Sequence, residues 1–262
     1  MCYTDDVFGF LADLPLPGYP SLLALGLSMG TALAVLLGRR RGLTALAVVD
    51  GALAGAAGGL LIGRVVYAAA HWPYFHDHMG EVPMVWRGGL SAPGAVVGGI
   101  VGVLVLCRAR RVGPRPLLDT LAPGAALVVI SAWLGCLGAG CGCGLPVRPD
   151  QGLLWALSAE LPDLYGLRAP RVAVPALGAV WGMVTLAGLL LGRWDRPFPL
   201  WLLLYAGGDL GLGFLREDVT PWLAGLAGVQ VADLALALAG LTLLTLPIWG
   251  GRGERPHLIS PG

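Results

Sequence analysis

The 262-residue chain contains no lysine and no asparagine, and only 13% of its residues are charged. The missing lysine excludes a Schiff-base mechanism or a lysine general base, and the missing asparagine excludes any carboxamide role for that residue. Soluble domains carry about 25% charged residues, so the shortage of charge excludes a water-soluble enzyme. What fills the chain is apolar: 56% hydrophobic residues and a mean hydropathy of +0.75. The apolar stretches run unbroken instead of alternating with period two, which excludes a barrel. The 42 glycines suit helices that approach closely within a bilayer. A net charge of +1 indicates no partner, nucleic acid included, because in a membrane protein it is the sidedness of charge that informs.

A span needs about 20 mostly apolar residues. Seven such stretches are expected at 19–38, 44–70, 88–107, 117–137, 172–192, 200–215 and 227–248, the sixth being the shortest. Arginines cluster after alternate spans: Arg39, Arg40 and Arg41, then Arg108, Arg110, Arg111 and Arg115, then Arg193 and Arg196, then Arg252 and Arg255. The positive-inside rule makes that side cytoplasmic, with the N-terminus outside and the C-terminus inside. The opposite side is acidic, with Asp5, Asp6, Asp13, Asp77, Glu81, Asp150, Glu160, Asp163, Glu217 and Asp218. Asp5, Asp6 and Asp13 stand where a cleavable signal would be basic, so a short exoplasmic segment is expected there. The fold expected is all-α, one polytopic seven-helix membrane domain over 1–262, with 145–171 as an exoplasmic loop or small head region.

Ionisable residues within spans are expensive and mark candidate sites. Arg64 lies near the outer end of span two with Tyr67 one turn on. It suits bidentate contact with a lipid phosphate, or else it snorkels or pairs with a buried carboxylate. Asp50 and Asp119 sit near the cytoplasmic boundary, where a structural role is the simpler reading. Asp209 lies deeper in a glycine-rich stretch, with Arg216 two turns on, and an ion pair from Asp209 to Arg64 is expected. The run Trp86-Arg87-Gly88-Gly89-Leu90-Ser91-Ala92-Pro93 opens span three; its glycines and Pro93 predict a broken helix start that lines a cavity. In 71–78, His76 and His78 flank Asp77. That spacing permits a metal site only if the loop folds back, and an aromatic interfacial anchor is the plainer reading.

Cys136, Cys141 and Cys143 cluster where span four reaches the outer face. Their spacing matches no standard zinc or thioredoxin-type motif. A disulfide, small-residue packing and a reactive thiol all remain open.

Read in order, Gly63-Arg64-Val-Val-Tyr67, His71-Trp72-Pro-Tyr74, Val85-Trp86-Arg-Gly88-Gly89-Leu90-Ser91 with Gly94, Asp119-Thr-Leu-Ala122-Pro123 and the glycine run ending span four resemble the prolipoprotein diacylglyceryl transferase superfamily. The family's seven-span, N-out topology equals the one derived from the arginines. The resemblance implies transfer of a diacylglyceryl group from phosphatidylglycerol, or a similar phospholipid, to the thiol of a lipobox cysteine in a precursor protein. The place would be the outer leaflet of the bacterial plasma membrane, with no cofactor or metal. Arg64 and Tyr67 match the family's arginine and tyrosine in span two. Trp86, Gly88, Gly89, Asp209 and Arg216 complete the candidate lipid-binding set.

The departures are specific. Pro93 stands where the family has a histidine. The family's Arg, two Asn and Glu fall on Trp133, Cys136, Ala139 and Cys141, and Asp209 and Gly213 occupy its Arg and Glu positions in span six. The resemblance therefore implies a branch in which cysteines replace a polar signature. Cys136 and Cys141, with Arg64, are its candidate catalytic residues. Two alternatives accompany the transferase: a paralogue keeping only a lipid-binding cavity, and an exoplasmic thiol or redox protein.

Overall fold

The computed structural model describes residues 18–162, 167–219 and 221–246. The expectations placed on 1–17, on Asp163, and on Arg252 and Arg255 lie outside those residues. Seven long helices follow one another: α1 (Tyr19–Arg40), α2 (Ala45–Ala70), α3 (Ala92–Ala109), α4 (Pro114–Ala139), α5 (Val174–Leu191), α6 (Pro197–Gly213) and α7 (Gly228–Thr245). Six of them are long and apolar enough to cross a membrane; α6, with 17 residues, is the exception.

Local chemistry sets the ends. Proline occupies the first turn of α1, α3, α4, α5 and α6, where its missing N–H costs nothing. Thr44 caps α2 by accepting from the Ala47 amide at 3.2 Å, and Ser91 caps α3 by accepting from Gly94 at 3.3 Å. Gly140, in the left-handed region at φ 70°, ends α4. Pro93 therefore breaks nothing: it sits in the first turn of a regular helix. The predicted third span also began too early, because 88–91 form a bend ahead of α3.

Helices alternate in direction, and their close approaches record it. Along α1 and α4, Gly26 faces Ser131, Gly30 meets the Gly124 backbone, and Gly38 lies near Thr120. A Cβ on Gly30 would stand 2.5 Å from the Gly124 carbonyl oxygen. Gly58 and Gly98 bring α2 against α3 in the same manner, and Gly63 faces Ala95. Gly178 and Gly182 seat Trp133 and Ile130 between α4 and α5, while Gly240 of α7 rests on Pro199 and Leu203 of α6. Without water to drive association, such fits are what hold transmembrane helices together. Gly94 and Gly98 thus pack α3 onto α2.

The start of α6 is fixed from a distance. Asp119, well inside α4, accepts the Phe198 amide at 3.0 Å and faces Arg115 at 3.5 Å. Asp50 pairs with Arg110 at 2.5 Å, tying α2 to the end of α3. At the opposite end, β1 (Ser158–Pro162) and β2 (Arg168–Val172) form an antiparallel hairpin, and β3 (Pro221–Leu223) pairs with β4 (Leu226–Ala227).

Candidate active site

Arg64 is buried, and its guanidinium is committed to the loop that joins α2 to α3. Nε donates to Val82 O at 2.6 Å, Nη1 to Gly88 O at 2.6 Å and Gly89 O at 2.8 Å, and Nη2 to Glu81 O at 2.7 Å. The rings of Phe75 and Tyr67 flank it at 5.2 and 5.7 Å. The expected ion pair with Asp209 is therefore replaced by four carbonyls of the neighbouring loop. Gly88 and Gly89 adopt φ of 85° and 79°, a region L side chains avoid. A Cβ on Gly89 would also strike the Tyr67 ring and stand 2.8 Å from Arg64 Nη1. Tyr67, Gly88 and Gly89 thus gather around Arg64 as the sequence suggested, whereas Trp86 is 72% exposed. The adjoining aromatic turn stacks on itself: Tyr67 on His71 at 4.2 Å and Tyr74 on His78 at 4.4 Å. His76 meets Asp77 at 2.9 Å.

Cys136 and Cys141 form a disulfide. Neither sulfur is then a thiolate, and the two candidate catalytic cysteines stand joined in one bridge. The bridge closes the turn at the end of α4, where the Cys141 amide also donates to Cys136 O at 3.1 Å. Cys143 is buried, with its sulfur directed at Gly140 O, 3.4 Å, and Pro162 O, 3.7 Å. Its carbonyl accepts the Glu217 amide at 2.9 Å. Arg171 of β2 reaches both Gly144 O, at 3.3 Å, and the Glu217 carboxylate. The cysteine turn, the hairpin and the segment after α6 are stitched together by these contacts.

Next to that turn a cleft opens between α4, α5 and α6. Trp133, Trp181, Trp201 and Tyr205 line it, with Asp209 as its acidic group and Gly178 and Gly182 at its back. Trp181 donates to Leu204 O at 2.9 Å, which fixes its ring in the wall. Asp209 is buried, and Asp233 of α7, close enough for the two carboxyls to interact, is 1% exposed. Gln230, also on α7, accepts the Ala227 amide at 2.9 Å. Below them Arg216 is held by Asp218 in a two-pronged pair at 2.8 and 2.9 Å. Burial lowers the Arg216 pKa, but the Asp218 hydrogen bonds and charge, then those of Asp209 and Asp233, outweigh it and leave it above its ordinary value.

The structure thus divides the predicted residues. Arg64, Tyr67, Gly88 and Gly89 build the loop over α2 and α3; Asp209 and Arg216 belong with the cleft between α4, α5 and α6; the disulfide stands beside that cleft. Asp233, Tyr205 and Trp133 were not among the sequence candidates. Asp233 carried the signal that flagged Asp209, an acid inside an apolar span, but it lies a turn and a half into α7 in a stretch with no other cue.

The sequence profile of a family described as prolipoprotein diacylglyceryl transferase matches residues 7–246. The chain belongs to that family. A Staphylococcus xylosus protein named phosphatidylglycerol--prolipoprotein diacylglyceryl transferase is 26% identical over 266 residues, 99% of this chain and 95% of its own. Proteins of the same name from Staphylococcus saprophyticus and Lactobacillus gasseri are 28% and 30% identical over 127 and 124 residues. In these two the match spans about half of each chain: 48% and 47% of this one, 46% and 45% of theirs. The family's membrane character agrees with the six spanning helices.

Proposed function

We propose that the protein transfers a diacylglyceryl group from phosphatidylglycerol, or a phospholipid of similar headgroup, to the thiol of a lipobox cysteine in a precursor protein. It does so as a seven-span protein of the bacterial plasma membrane, N-terminus outside and C-terminus cytoplasmic. Arg39 to Arg41, Arg108 to Arg115, and Arg193 and Arg196 fall at one end of the alternating helices, and Asp77, Glu81, Asp150, Glu160, Glu217 and Asp218 at the other. That segregation supports the orientation.

The observation that carries the reading is the cleft between α4, α5 and α6, lined by aromatic rings and ending on a buried cluster of acids with one guanidinium, in a chain matched by the family over 7–246. The reaction forms a bond from the thiol sulfur to the glyceryl carbon and breaks that carbon's bond to phosphate. Glycerol phosphate leaves with the electron pair. Arg216, whose charge acts on Asp209 and Asp233 while Asp218 holds two of its nitrogens, is the cation assigned to the leaving phosphate. Arg64, with Tyr67, Gly88 and Gly89, shapes the outer loop, and Trp86 stands exposed at headgroup depth.

The test is production of the chain in a strain stripped of its own transferase. Growth and diacylation of lipoproteins, read by mass shift of the modified cysteine peptide, are expected. An inserted protein that yields no modified cysteine overturns the reading. One observation favours a paralogue that binds lipid without turnover: the Arg64 donors are spent on the loop. Purified protein that carries phospholipid yet modifies no lipobox peptide establishes that second reading.

A further inference from the structure

We propose that Asp209 and Asp233 together form the proton acceptor for the incoming thiol; this rests on the transferase reading above. A thiol attacks as its thiolate, so the proton needs a destination beside the cleft. The chain has no lysine. Its described histidines, His71, His76 and His78, are all on the exposed turn after α2. Cys136 and Cys141 are joined. What borders the cleft is Asp209, and behind it Asp233.

The pairing of these two acids is informative. Two carboxyls side by side in a low-dielectric interior share a proton more readily than they carry two charges. Such a pair exchanges protons without exposing a bare dianion to a low-dielectric interior. Arg216 does not neutralise it outright, because that guanidinium is clasped by Asp218. Two further atoms are buried and have no partner: the Tyr205 hydroxyl and Asp233 Oδ1. Buried polar atoms are nearly always satisfied, and exceptions gather where chemistry uses them. The groups that act on the pair are Tyr205 of α6 and Arg216 of the following segment; Asp218 holds Arg216, and Gln230 of α7 is neutral and bound to the Ala227 amide. From α4 and α5 the cleft receives Trp133, Trp181 and Thr185, none of them charged. The inner volume of the cleft is about 10 Å³, at the lower bound of what holds one water and too little for bulk water to compete as base.

The step balances without a co-reactant. The S–H proton passes to the ionised carboxylate of the pair as the S–C bond forms. The electron pair of the broken C–O bond leaves on glycerol phosphate, and the carboxyl returns its proton to water as product departs.

The test uses full-length protein in phosphatidylglycerol vesicles with a lipobox peptide. D209N and D233N are expected to lower kcat by about 10²- to 10⁴-fold with little change in the KM for lipid. The deficit should shrink as pH approaches the thiol's own pKa near ~8.5, and D209E and D233E should recover part of the rate. The decisive arm replaces the peptide cysteine with selenocysteine, whose selenol is already ionised at neutral pH and needs no base. Both Asn variants should then approach the wild-type rate, which also proves them folded. Variants equally impaired with thiol and selenol, or with an unchanged pH profile, overturn the proposal. Wild-type protein that binds lipid but transfers nothing to either peptide overturns the transferase reading, and the proposal with it.

Discussion

Arg64 donates to the carbonyls of Glu81, Val82, Gly88 and Gly89, so deleting its side chain leaves four acceptors stranded at once. Hydrogen bonds from charged donors contribute about 1.5–3 kcal/mol each, and losses within one network do not add. R64A is therefore expected to destabilise by about 3–4 kcal/mol and to open the loop at 76–91 to protease, while R64K recovers little because an ammonium cannot fork. Thermal unfolding in detergent and limited proteolysis check this. An R64A protein as stable as wild type, with bound phospholipid lost, would return Arg64 to the role of phosphate ligand. Asp119 is a second case, since its Oδ1 is the partner of the Phe198 amide. D119A should cost about 1–3 kcal/mol by loosening the start of α6, visible as faster amide exchange at 197–200.

At the scale of elements, the disulfide and the glycine contacts set the geometry of the cleft. The Cys136–Cys141 bridge closes a short loop, for which chain entropy gives about 2 kcal/mol. C136S, C141S and reduction of the wild type are each expected to lower stability by that amount and to leave transfer measurable. If C136S is as stable as wild type but inactive, the cysteine belongs to the chemistry. G58V should be more severe, because the Gly58 position has the α3 backbone against it. Separation of α2 from α3 is expected, read as loss of inserted protein on blots of membrane fractions.

These elements were legible in the sequence to different degrees. Hydropathy placed every long helix, because a bilayer demands continuous apolar runs and tolerates little else. It misjudged Pro93, since a proline in the first turn and one in mid-helix look alike until the Ser91 cap is seen. Arg64, Tyr67 and the two glycines stood among the wider set of candidates, yet the direction of the guanidinium was hidden. Its four acceptors are backbone carbonyls, which no residue type announces. Asp233 was missed because its significance comes from Asp209, a partner on a different helix.

For the molecule as a whole, the alternation of seven helices makes the distribution of arginine a prediction about sidedness. Alkaline phosphatase fused within 145–157 should be active, and green fluorescent protein fused after Arg41 should fluoresce. The reverse pattern would invert the protein and move the cleft's acidic end to the cytoplasm.

A last consequence concerns the bilayer itself. α6 has 17 residues, about 26 Å at 1.5 Å per residue, against a hydrocarbon core of about 30 Å. It also carries Tyr205 and Asp209, the residues at the mouth of the acid pair. Where α6 meets lipid, a span this short favours local thinning of the bilayer. The membrane's own thickness becomes a determinant of access: vesicles of progressively longer acyl chains should slow turnover while leaving the fold's melting temperature almost unmoved.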